Sequence, residues 1–255
     1  MNFTLNTYHH LCSTLAKNYY TNLTVNEYLT TPTRPQKTAV LRHDVDRQPS
    51  TALRMARLEQ QLGMKGTYYF RFIQGVFDEG FIREIIQLGH EVGYHYETLS
   101  KCRGNMDEAI ALFEIELAAF RKVCPVYTAS MHGRPLSPWD NREIWKYATP
   151  QQFNLSGECY LSINYETMQY FSDTGRTWHP GKYNIRDRVQ KSETNVLLSS
   201  TDELIRYLQN NKDESVCILT HPNRWSQGPF ELIVSAGQDF AINQIKRILQ
   251  LLPKR

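Results

Sequence analysis

Short apolar, β-branched and aromatic runs alternate along most of this chain with stretches of helical period, and that alternation limits the folds open to it more than any other feature. The runs are Thr38 to Arg42, Gly66 to Phe72, Glu91 to Tyr96, Val126 to Ser130, Gln169 to Ser172, Val196 to Ser199 and Val216 to Thr220. Between them, a helix capped by Ser50 or Thr51 is predicted to run to Leu62 and stop at Gly63. Others are predicted around Phe81 to Leu88, stopped by Gly89, over Met106 to Arg121, and from roughly Asp239 to Leu252. Seven strands mostly separated by helices predict the α/β class, as a distorted parallel barrel of the (β/α)7 type. Residues 36–255 form that barrel domain, and residues 1–35 read as an N-terminal helical extension ahead of it, joined by the prolyl stretch Thr31-Pro32-Thr33-Arg34-Pro35. At 255 residues the chain is long enough for one barrel-sized core.

The ends of the runs carry the chemistry. Asp44, Asp46, His95, His132, Asp173 and His221 all fall at carboxyl ends of predicted strands, where parallel α/β barrels assemble their active sites. Side chains alternate along a strand, so Asp44 and Asp46 share one face and His43 points to the other. Two like charges on one face repel unless a cation or a proton lies between them. Taken alone, such a pair reads more simply as a solvated turn. The recurrence of acids and imidazoles at five strand ends favours a site instead. His43 and His90 read as structural, His9-His10 as solvated, and His179 as a loop residue. The stretches from Pro138 to Glu166 and from Thr174 to Thr194 are long for loops and are expected to cover the site.

Composition removes other functions. Lys and Arg total 29 against 26 Asp and Glu, a net charge of +3 with no long run of one sign, which gives no footprint for nucleic acid or a membrane surface. No signal-peptide core and no membrane-length apolar stretch occur. Cys12, Cys102, Cys124, Cys159 and Cys217 form no CxxC pair and are odd in number, so they read as reduced packing residues in a cytoplasmic protein. No Gly-x-Ser-x-Gly elbow and no Gly-rich phosphate loop is present.

Five segments in order then resemble the polysaccharide deacetylase family, the NodB-like family 4 carbohydrate esterases, and most closely its bacterial branch linked to surface-polysaccharide biosynthesis. They are Arg42-His43-Asp44-Val45-Asp46, Gly89-His90-Glu91-Val92-Gly93-Tyr94-His95-Tyr96-Glu97, His132-Gly133-Arg134-Pro135, Ser172-Asp173-Thr174-Gly175-Arg176-Thr177-Trp178 and Leu219-Thr220-His221-Pro222. The resemblance implies a divalent metal cofactor, zinc in the first instance, bound by Asp46, His95 and a third ligand. It implies Asp44 as the base that takes a proton from water and His221 as the acid that protonates the leaving group. Asp173 would orient His221, while Arg134 or Arg176 would hold the catalytic aspartate or an anionic part of the substrate. Trp178, with Trp139 and Trp225, would offer sugar-stacking faces. The family has adjacent aspartates where Val45 intervenes here, and Leu99 stands where its second metal-binding histidine is expected. The third ligand is therefore His132 or Glu97.

The function so implied is removal of an acetyl group, from nitrogen or oxygen, on a sugar, nucleotide-sugar or lipid-linked glycan during surface polysaccharide (O-antigen or capsule) assembly. Neither nucleic acid nor membrane insertion is expected. Two other readings stay open: a non-catalytic carbohydrate-binding or scaffold protein on the same barrel, and a glycoside hydrolase using Asp44 with a second carboxylate.

Overall fold

The computed structural model describes residues 2–18, 20–33, 35–134, 137–179, 189, 196–210, 214–228, 230–237, 239–240 and 244. Its strands are β1 (Thr21–Leu23), β2 (Thr38–Val45), β3 (Thr67–Arg71), β4 (Glu91–Tyr96), β5 (Thr128–Met131), β6 (Gly157–Glu158), β7 (Met168–Ser172) and β8 (Ser215–Thr220). All pair in parallel, in the order β6-β5-β4-β3-β2-β8-β7, with β1 added on β2. Parallel strands require crossovers, and helices supply most of them. The sheet curls into a distorted half-barrel of the predicted α/β class. Among the described residues β6 and β7 do not pair with each other, so the curl is open there.

β2 is the axis of the sheet. All eight of its residues are buried, as expected of a central parallel strand covered on both faces. Register fixes what each face carries: Val40 pairs with Cys217, Arg42 with Leu219 and Asp44 with Tyr69. The inner face holds Val40, Tyr69, Cys159, Tyr165, Tyr170, Cys217 and Leu219. Gly93 is required there, because a Cβ on it would overlap the Tyr69 ring and come within 3.0 Å of the Thr128 carbonyl. The outer face is covered by helices α1 (Leu5–Lys17), α3 (Pro49–Gln61), α4 (Glu79–Gln87), α6 (Met106–Arg121) and α8 (Thr201–Asn210).

His43, facing outward as the alternation predicts, donates or accepts at Thr220 Oγ1 (2.6 Å), lies 2.9 Å from Glu59 and stacks on Tyr68. Tyr8 of α1 and Tyr68 also bond Glu59, and His90 accepts the Gly66 amide, so these imidazoles are structural. The N-terminal stretch shares this core. Tyr8, Leu11 and Leu15 of α1 are fully buried, β1 extends the sheet, and α2 (Val25–Thr30) is closed by a Thr24/Glu27 capping box.

Several boundaries differ from the sequence reading. α3 is entered through Gln48 in the left-handed region (φ 55°) and Pro49 in the first turn, with no hydroxyl cap from Ser50 or Thr51. Gly63 ends it at φ 67°, as predicted. Val196 to Ser199 is not a strand: Leu198 anchors the segment in the core while Leu197 is exposed. β1 and β6, three and two residues long, occur where none was predicted. Pro138 to Glu166 is not an open loop, since it contains two 3-10 turns, β6 and α7 (Cys159–Ser162). The predicted helix from Asp239 to Leu252 lies mostly outside the described residues, as does most of Thr174 to Thr194 beyond His179. No helix among the described residues is long and apolar enough to cross a membrane. All five cysteines are unpaired, four of them buried.

Candidate metal centre and active site

Strand register brings the site together. Arg71 pairs with His95, His95 with Ser130 and Tyr96 with Met131, so His95 and His132 end adjacent strands while Asp46 lies just past β2. One ligand atom from each of Asp46, His95 and His132 lies within 4.8 Å of the others. His95 Nε2 is 3.3 Å and His132 Nε2 is 3.4 Å from Asp46 Oδ1, and His95 Nε2 is 3.6 Å from Asp44 Oδ2.

The remaining ring nitrogens set the tautomers. His95 Nδ1 is 2.9 Å from the Ser130 carbonyl, which can only accept, so Nδ1 carries the proton and Nε2 presents its lone pair. His132 Nδ1 lies 3.1 Å from Glu97 Oε2. Burial raises the Glu97 carboxyl, but His132 and Arg71 outweigh burial and hold it down to about 2, so it is an anion that accepts from Nδ1. Arg71 clamps its other oxygen at 2.7 and 3.1 Å. Two imidazole lone pairs thus converge on a carboxylate oxygen that is buried and has no hydrogen-bond partner. Such an arrangement calls for positive charge, and with one carboxylate and two imidazoles each oriented by an outer partner, it fits a divalent cation. The carboxyl and imidazole shifts run in opposite directions, and each favours the charged form. Burial opposes ionisation of Asp46, yet His132, His95 and His221 hold it well below the usual range. Burial lowers His95, yet Asp44 and Asp46 raise it overall.

Asp44 is held from its own strand. Arg42 Nε and Nη2 donate to its two oxygens at 3.1 and 2.8 Å, and Nη2 also donates to Ser130 Oγ at 2.6 Å. Both residues are buried, Asp44 with a trace of exposure, and the guanidinium lies 4.1 Å over the Tyr160 ring of α7. The sequence reading missed this arginine. Its signal was there, because the alternation along β2 aligns Arg42 with Asp44.

His221 follows β8, whose Thr220 pairs with His43, and so stands beside Asp44. Its Nδ1 is 2.6 Å from Asp173 Oδ1, and Arg224 Nη1 packs beside both, 2.7 Å from that oxygen and 2.6 Å from Nδ1. The His221 amide and the Trp225 indole bond Oδ2 at 2.9 Å each. Burial pushes Asp173 up, but Arg224 and His221 bring it down to about 2, so it is the acceptor for Nδ1–H.

Other expected residues stand apart. Asp173 meets His221 and contributes no open face of its own. Arg176 bonds Asp239 and Ser235 at 2.7 Å each, away from Asp44. Trp178 is buried, bonds Thr201 and packs with Phe3 and Trp225, which is buried too, so neither offers a stacking face. Trp139 packs against Gly104. Leu99 sits in a short helix, α5 (Thr98–Lys101), within the outer core, because β4 ends at Tyr96. Arg134 remains near the site, with Nε 3.8 Å from Glu97.

No protein-family model matches the chain. No curated protein matches it either. Among solved structures, a CE4 esterase of Streptococcus mutans superposes with a TM-score of 0.49 at 15% identity, over 92% of this chain and 90% of that one. A family 4 carbohydrate esterase of Streptomyces lividans, in complex with acetate, gives 0.41 at 12% identity, over 82% and 88%. A mutant CE4 pseudoenzyme with restored activity gives 0.39 at 13% identity, over 82% and 63%.

Proposed function

We propose that this protein is a metal-dependent hydrolase that removes an acetyl group from a sugar, in the assembly of a surface polysaccharide. The convergence of Asp46, His95 and His132, with both imidazoles oriented through Nδ1, carries this reading. Those three residues would hold a divalent ion, with zinc suited to the nitrogen and oxygen donors. When bound, it supplies Lewis acidity to the acetyl carbonyl and makes water more acidic. Asp44, fixed in direction by Arg42, accepts the proton of the attacking water. His221, its Nδ1 proton committed to Asp173, would carry a second proton on Nε2 and give it to the departing sugar nitrogen or oxygen. Glu97 orients His132 and is not itself a ligand in this reading.

The test is acetate release by protein loaded with zinc, cobalt or manganese, across acetylated sugars, nucleotide-sugars and lipid-linked glycans. Release that requires metal loading and falls about 10²- to 10⁴-fold in Asp44→Asn, with metal content retained, is the expected outcome. No acetate from any substrate refutes the reading.

A further inference from the structure

Asp44, Glu97 and Asp173 each have an arginine partner, Asp46 faces the proposed metal position, and one arginine is left over. Arg42 takes Asp44 bidentately, Arg71 and His132 take Glu97, and Arg224 and His221 take Asp173. Two roles were open to Arg134 and Arg176 from sequence, holding the catalytic aspartate or meeting an anion on the substrate. Arg42 fills the first. Arg176 is committed to Asp239 and Ser235. Arg134, two residues beyond His132, has 48% of its side chain exposed and only a 3.8 Å approach to Glu97, longer than a hydrogen bond.

With about half of its side chain exposed beside the buried Glu97, the Arg134 guanidinium presents a planar fork matched to an oxyanion.

We propose that the substrate is an acetylated sugar bearing an oxyanion, a phosphate or a carboxylate, and that Arg134 binds that group. The inference rests on the hydrolase reading for the acetyl group, while the anion preference is measured separately.

Calorimetric titrations on metal-loaded protein test it, in the Asp44→Asn background so that probes stay intact. The probes are N-acetylglucosamine, its 1-phosphate and the corresponding uronic acid, each titrated with Arg134, Arg134→Lys and Arg134→Gln. An anionic probe is expected to bind about 10- to 100-fold tighter than the neutral sugar, the scale of charge-assisted hydrogen bonds. Arg134→Gln is expected to erase most of that ratio, and Arg134→Lys to keep part of it. Whichever anionic probe shows the larger ratio identifies the source of the oxyanion. Equal affinity for neutral and anionic probes, no binding of either anion, or a ratio that persists in Arg134→Gln overturns the proposal. Absence of acetate release by the unmutated protein refutes the hydrolase reading instead, and leaves the affinity ratio to be judged by itself.

Discussion

Replacing Glu97 by glutamine removes one charge and almost no volume, which makes it a sharp probe of how the proposed metal centre is supported. Glu97 is 2% exposed and accepts from His132 at 3.1 Å and from Arg71 at 2.7 and 3.1 Å. The amide keeps one acceptor oxygen, so it can serve Arg71 or His132 but not both as the carboxylate does. Its pKa is brought down to about 2 from an ordinary 4.5. That depression corresponds to about 3 kcal/mol favouring the carboxylate, and a stability loss of that order is expected in Glu97→Gln. The more specific effect falls on His132. Without an anion at Nδ1 the ring loses the bond that fixes its orientation and tautomer, and metal affinity should drop about 10- to 100-fold. Competition against a chelator, on protein shown to be folded by circular dichroism, measures it. Unchanged affinity would refute the supporting role. A loss as complete as that in Asp46→Ala would make Glu97 a direct ligand.

Arg42→Met leaves Asp44 buried without its cation and should cost about 3–5 kcal/mol in urea unfolding, with Arg42→Lys costing less; equal stability of all three proteins would count against the pair. Gly93→Ala forces the Tyr69 ring or the Thr128 carbonyl aside, at about 1–3 kcal/mol, and a double-mutant cycle with Tyr69→Leu should recover part of the loss. Asp173 has a folded pKa near 2 against an ordinary 3.8, worth about 2 kcal/mol. Because the folded value is the lower one, this stabilisation is present above about pH 4 and is lost as pH falls through about 2. The stability gap between wild type and Asp173→Asn should therefore narrow between pH 5 and 2 in denaturant titrations, and a constant gap would show that the ionised carboxylate is not its source.

The parts of this fold that sequence revealed are those where burial and period agree. β4, β8 and α6 lie where their apolar patterns place them, to within a residue or so. β2 runs on to Val45, beyond the predicted Arg42, because Arg42, His43 and Asp44 are buried by pairing and carry no apolar signature. Val196 to Ser199 has the composition of a strand but pairs with none among the described residues, whereas β1 and β6 pair yet are too short to show a period. At the site, alternation aligned Arg42 with Asp44, whereas Asp46 lies past the end of β2, in a bend where its amide donates to the Asp44 carbonyl. Alternation could not show that Trp178 and Trp225 are core, since aromatic residues serve either purpose. Nor could spacing show that Glu97 lies against His132 and is held by Arg71, because that contact joins three strands.

The pairing of β2 with β8 links His43 to Thr220, 177 positions along the chain. Asp44 and His221, the two groups that would exchange protons with substrate, are thus brought side by side by the longest-range ladder in the sheet. Such closures are slow, because chain entropy must be lost before the contact repays it. During synthesis β2 and β3 emerge well before β8, so one edge of the central strand waits exposed and the acid cannot join the base until late. The proposed metal ligands Asp46, His95 and His132 all lie within residues 46–132, so a nascent chain would assemble them before the proposed proton donor His221. Metal uptake and catalytic competence would then arise as separate, ordered events in the life of each molecule.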